Sequence, residues 1–188
     1  MAILKIAKMG HPVLRKVAEP VADARAPEIA ALIHDMRETL EDIGGNGLAA
    51  PQVYVSKRVV LYRLMADRMP PGAETRPIDW TTLINPVITP LSEKTLANYE
   101  RCLSLPDMVG KVERHAHIRC DYVTPEGRAA SIEARGFHAM VLQHECDHLD
   151  GILYPMRMKT LSEFGYSTEW KVKDFVLLWD PKDFDGRS

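Results

Sequence analysis

Nowhere in this 188-residue chain do lysines and arginines gather into a run or a stripe. Its 24 Lys plus Arg are set against 26 Asp plus Glu, a formal net charge of -2. A general electrostatic grip on nucleic acid has no support in that balance. Long apolar runs are missing too, so no segment is expected to span a bilayer, and Met1-Ala2-Ile3-Leu4-Lys5 lacks a signal-peptide apolar core. Cysteine is scarce: three residues, an odd number without the spacing of a disulfide framework. These absences together lead us to expect a protein of a reducing compartment, most simply the cytoplasm. There are no internal repeats. Hydrophobic residues make up 46% and charged residues 27%, values typical of a soluble globular protein, and residues 1–188 suit a single domain with a substantial core.

What is present is punctuated into short elements. Residues 1–21 read as an extended arm with one short element, broken by Pro12 and Pro20. Pro27 to Ile43 reads as an amphipathic helix with Ile29, Leu32, Ile33, Met36, Leu40 and Ile43 on its apolar stripe and Gly44-Gly45 to stop it. Strands are expected at Arg58–Leu64, Thr82–Ile88, Thr95–Tyr99, His117–Tyr122 and Arg128–Glu133. Pro86 argues for an edge or a bulge, and Pro125-Glu126-Gly127 for a hairpin. Ala66–Asp79, with Pro70, Pro71, Gly72 and Pro77, reads as an exposed loop. A second helix is expected over Gly136–Asp150. The tail from Lys159 is weakly patterned, and Phe175–Trp179 fits a strand or a partner-binding segment. Strands clustered between two helices, with few βαβ units, indicate an α+β domain whose mainly antiparallel strands surround a buried helix.

That second helix carries His144-Glu145-Cys146-Asp147-His148, an H-E-x-x-H pattern. Residues at i and i+4 share a helix face, so both imidazoles can reach one metal ion, and Glu145 can accept a proton from an attacking water. Phe137, Met140, Val141, His144 and His148 form one helical stripe, while Leu142, Cys146 and Leu149 form another. A helix apolar on most of its circumference is buried. Its histidines then need partners, and metal ligation would supply them; two core histidines bonded to backbone would look the same. Cys146 lies about 200° around the helix from the ligand face and is expected to pack. Cys120 is expected in the core of a strand, His34 in a packing or surface role, and His115 and His117 at the strand surface.

A catalytic metal needs a third protein ligand, and three kinds are on offer. Tyr154 stands where an extended H-x-x-G-x-x-H pattern would place a histidine, but a neutral phenol binds metal poorly. Glu163 and Glu169 are carboxylates downstream, though Gly165 and Ser167 argue against the helix that would carry them. Cys102, upstream, would give a thiolate suited to a borderline-soft metal.

Three segments taken together resemble the peptide deformylase family. Its motifs G-x-G-h-A-A-P-Q, E-G-C-h-S and Q-H-E-x-D-H, where h is apolar, read here as Gly45 to Gln52, Glu100-Arg101-Cys102-Leu103-Ser104 and Gln143 to His148. The likeness extends to Gly10-His11-Pro12-Val13-Leu14-Arg15 and covers the chain to about Met158. It implies the deformylase fold and a metallohydrolase that removes the formyl group from N-formylmethionyl peptides of nascent chains, releasing formate. It implies one divalent metal held by Cys102, His144 and His148, iron(II) in the cell, with zinc a less active substitute. It makes Glu145 the general base, and Gln52 with the Leu103 N–H the oxyanion donors. Gly45, Gly47, Glu100, Phe137, Met140 and Val141 would meet substrate, the last three around the methionine side chain. The resemblance leaves room for a transient ribosome contact.

One departure stands out: the family's glycine in the second motif is Arg101. If that position needs positive φ, arginine costs about 1 kcal/mol or more. Its side chain would either point to solvent or sit beside the peptide cleft. The latter would lower deformylase activity or shift the substrate to another N-acyl or formyl compound. A protein with a purely structural metal needs neither Glu145 nor Gln52.

Overall fold

The computed structural model describes residues 3–70, 73 and 75–169; the Phe175–Trp179 expectation lies outside them. Pro27–Ile43 forms α1, with proline in the first turn, where its missing N–H costs nothing. The helix ends as Gly44 turns to φ 72° and donates its N–H to the Leu40 carbonyl. Met36 and Leu40, fully buried, carry its apolar face into a cluster with Leu48, Val59, Leu61 and Ile84.

The strands are β1 (Gly47–Ala49), β2 (Val59–Leu64), β3 (Ile78–Pro90), β4 (Thr95–Cys102), β5 (Leu105–His115), β6 (His117–Val123), β7 (Ala129–Arg135) and β8 (Phe164–Tyr166). They form two sheets, in the orders β1-β2-β3-β6-β7 and β4-β5-β8, with every pairing antiparallel. The bulge signalled by Pro86 is there. The β3–β6 register slips between Ile84 and Val87, with Asn85 at φ 51°. Pro125-Glu126-Gly127 does turn the β6–β7 hairpin, Gly127 at φ 78°. β5 was not expected, because Pro106, Asp107 and Gly110 obscure its alternation.

Between the sheets lies α2 (Gly136–Leu149), in contact with β1, β2, β3, β5, β6 and β7. All of its residues except Gly136 and His144 are buried. Gly136, at φ 53°, lets β7 turn directly into the helix. Gly151, at φ 71°, ends it, and a Cβ there would meet the Arg15 carbonyl carbon at 2.7 Å. Leu142 packs from α2 against Val60, Leu83 and Ile118, and trimming it to alanine would cost about 2–5 kcal/mol. Cys120 and Cys146 are buried. His34 is exposed beside Glu38.

The N-terminal arm ties the pieces together. The Ala7 N–H donates to the Gln52 carbonyl, Met9 to Ser104, and Ala18 to Leu149, at 2.7–2.8 Å. Each of the three motif segments is therefore fixed to the same strand of chain. No helix among the described residues is long and apolar enough to cross a membrane.

Candidate active site

Cys102 ends β4, and the pairing of β4 with β5 slips between Glu100 and Cys102 so that the thiol turns toward α2. His144 and His148 sit one turn apart on α2, rings 5.1 Å between centroids. One donor atom from each of these three residues lies within 4.8 Å of the other two. Cys102 Sγ is 3.4 Å from His148 Nε2. Burial pushes the Cys102 thiol up, but the two imidazoles more than reverse this and hold it well below the ordinary thiol value. Burial alone would lower His144, yet Cys102 and Glu100 hold it well above the usual histidine range. Both shifts express one property: this pocket favours positive charge beside a thiolate.

One sulfur and two imidazole nitrogens are a common donor set for a divalent transition metal with a position left open. The surroundings fit. His144 Nδ1 is 2.7 Å from Glu100 Oε2, which fixes the ring and leaves Nε2 for ligation. Glu145 is buried, and its Oε2 has no hydrogen-bond partner among the described residues. Burial raises its carboxyl, against the pull of His144 and His148. The other ligand candidates stand elsewhere. Tyr154 stacks 6.2 Å from the His144 ring, and Glu163 pairs with Lys111 at 3.0 Å.

Gln52 is held by its own loop. Its Oε1 accepts from the Ala49 N–H at 2.9 Å, which leaves the amide Nε2 to face Cys102 Sγ at 3.5 Å and Ser104 Oγ at 3.3 Å. The Leu103 carbonyl accepts from Lys8 Nζ at 2.9 Å. A cleft of about 800 Å³ opens here, lined by Gly45, Gly47, Gln52, Glu100, Arg101, Cys102, Leu103, Phe137, Met140, Val141, His144 and Glu145.

Two of the residues expected at the substrate line the cleft and also have partners within the protein. Glu100 accepts from Arg114 with both carboxylate oxygens (2.6 and 2.9 Å), and one of them also pairs with His144. Burial would raise its carboxyl, but the Arg114 guanidinium brings it down to about 2. Gly47 was expected to admit substrate backbone. The space a side chain would take there is filled by Glu145, whose Cγ lies 2.7 Å from the position of a Cβ. Arg101 is exposed, and its φ is not positive, so the strain considered for it is absent. It lies on the cleft wall, within the β4–β5 register slip.

The sequence reading missed Arg114, which also donates to Asp147 at 2.7 Å. The signal was Asp147 itself. An acid on an otherwise apolar helix face needs a cation within reach.

The family model described as polypeptide deformylase matches residues 3–164. Peptide deformylase 1 of Nitrosomonas europaea is 46% identical over 165 residues, 88% of this chain and 93% of that protein. Peptide deformylase 1 of Bordetella pertussis is 47% identical over 162 residues, 86% and 91%. This chain belongs to the polypeptide deformylase family. Solved structures agree on the fold of this family member. The class I type b peptide deformylase of Acinetobacter baumannii with Met-Ala-Ser bound superposes with a TM-score of 0.77 at 34% identity, covering 84% of this chain and 99% of that one. The peptide deformylase of Thermotoga maritima gives 0.73 at 32%, covering 85% and 100%.

Proposed function

We propose that this chain removes the N-formyl group from formylmethionine at the amino terminus of newly made proteins, releasing formate and a free amine. The observation that carries this reading is the convergence, in one open cleft, of a Cys-His-His donor set, a buried carboxylate whose Oε2 has no hydrogen-bond partner among the described residues, and an anchored amide. Cys102, His144 and His148 would hold one divalent metal, iron(II) in the cell with zinc as the substitute. Such a metal acts as a Lewis acid and makes water a better nucleophile at neutral pH.

The protein's own groups do the rest. Glu145, its carboxyl raised by burial, accepts the proton of the attacking water and passes it to the leaving amine. The water oxygen bonds to the formyl carbon, and the carbon–nitrogen bond breaks as the amine is protonated. Negative charge on the formyl oxygen is met by the Gln52 amide and the Leu103 N–H. Each such preorganised donor is worth about 3–4 kcal/mol where measured by mutation. Phe137, Met140 and Val141, all lining the cleft, suit an unbranched thioether side chain. Gly45 borders the same cleft, and a Cβ there would stand 2.9 Å from Leu40 Cδ1.

The same reading makes residues 1–188 one catalytic domain acting in the cytoplasm on nascent chains, with transient ribosome contact. A second reading, an altered N-acyl or formyl substrate, is favoured only by Arg101 on the cleft wall. The deciding experiment offers iron(II)-loaded and zinc-loaded protein N-formyl-Met-Ala-Ser and N-acetyl-Met-Ala-Ser. Formate from the first and no acetate from the second supports deformylation. Preference for another acyl group supports the second reading.

A further inference from the structure

The ionic contacts behind His144 do not stop at Arg114. Arg114 donates Nε and Nη2 to Glu100 and Nη1 to Asp147 Oδ2. Asp147 then receives a fork from Arg157, Nη2 to Oδ1 at 2.7 Å and Nε to Oδ2 at 3.2 Å. Read outward from His144, the order is Glu100, Arg114, Asp147, Arg157, so that charges alternate minus, plus, minus, plus. The Glu100, Arg114 and Asp147 side chains are 9%, 3% and 10% exposed, whereas Arg157 is 47% exposed. Arg157 lies in the 3-10 turn Tyr154–Arg157, which packs on β5.

We infer that Arg157 is a positioning residue for the candidate metal centre, acting through Asp147 and Arg114 on Glu100 and His144. The inference rests on the proposed metal-dependent function. An ordinary surface ion pair is worth little, but this one ends on a carboxylate that is nine-tenths buried. Without Arg157, the single Arg114 guanidinium must serve two buried carboxylates. Asp147 then competes for the donors that hold Glu100, and Glu100 is what orients the His144 ring. Hydrogen-bond partners behind a metal ligand are worth about 10–100-fold in metal affinity. Arg157 is three ionic links beyond Glu100, so its removal should quicken metal release by less than that range, about 3–10-fold.

The test uses the full chain loaded with cobalt(II), as wild type, Arg157→Gln and Arg157→Lys. Cobalt transfer to a chelator and the visible absorption bands are followed, with formate release from N-formyl-Met-Ala-Ser measured on the same samples. The expected result is faster release and shifted bands in Arg157→Gln, partly restored in Arg157→Lys, which keeps the charge but loses the fork. If Arg157→Gln does not fold, the shift of Arg157→Lys against wild type decides in the same direction. A role confined to docking the turn would lower thermal stability and leave release rate and bands at wild-type values, and that result overturns the inference. A wild type that binds no cobalt and releases no formate overturns the underlying function instead.

Discussion

Gly47→Ala is the smallest change that should stop the chemistry without touching a ligand. A Cβ at position 47 would stand 2.5 Å from Glu145 Cδ and 2.7 Å from its Cγ. Carbon atoms rest at about 3.5–4.0 Å, so one partner must give way by roughly 1 Å. Neither gives easily. β1 is paired to β2 through Gly47 and Tyr62, and Glu145 projects from a helix buried almost all round. Overpacking of this kind costs about 1–3 kcal/mol in stability. A displacement of about 1 Å at the reacting geometry costs about 100-fold in rate. We therefore expect kcat/KM for N-formyl-Met-Ala-Ser to fall about 100-fold in Gly47→Ala, with metal content unchanged, measured as formate release from samples of matched metal loading. Wild-type turnover in that variant would refute the link between Gly47 and the Glu145 carboxylate.

Gln52→Leu should lower kcat by about 100–1,000-fold with little change in KM, because its amide acts on charge that develops in the transition state; a loss confined to KM would reassign it to ground-state binding. Arg101→Gly should raise kcat/KM for formylmethionyl peptides several-fold, through KM, since the side chain borders the cleft and not the reacting atoms; equal or lower activity would return Arg101 to a plain surface role. Burial lowers His138 from 6.5 to about 4 in the fold, where its Nε2 lies 3.0 Å from the Tyr62 hydroxyl. As pH falls through 6.5 the unfolded chain takes up the proton first, so stability drops between 6.5 and about 4, by about 3 kcal/mol in all. Urea unfolding of wild type and His138→Asn across that window should show the extra slope in wild type alone, and parallel curves would contradict it.

How much of this was legible in the sequence follows from the period of each element. α1 begins and ends where Pro27 and Gly44 place it, and α2 differs from its expected span only at Asp150. β5 was hidden because Asp107, at φ 62°, and the register slip beside Cys102 break its alternation. The division into two sheets was also not visible, since β8 reaches β5 from beyond α2. The donor set could be named because Cys102, His144 and His148 fall in short, recognisable motifs. The Arg114 partner of Glu100 was hidden because it comes from the neighbouring strand fourteen residues on, a distance no local pattern reports. Gly47 lines the cleft, and no local pattern reports that Glu145 fills the space of its missing side chain.

The proposed chemistry requires Glu145 to be a proton acceptor and not a ligand. Glu145→Gln, isosteric but unable to take the proton, should be loaded with iron(II) beside wild type, then assayed for metal content and for formate from N-formyl-Met-Ala-Ser. One metal per chain is expected in both proteins, and almost no formate from the variant. Turnover near wild type, or loss of the metal from the variant, would contradict it.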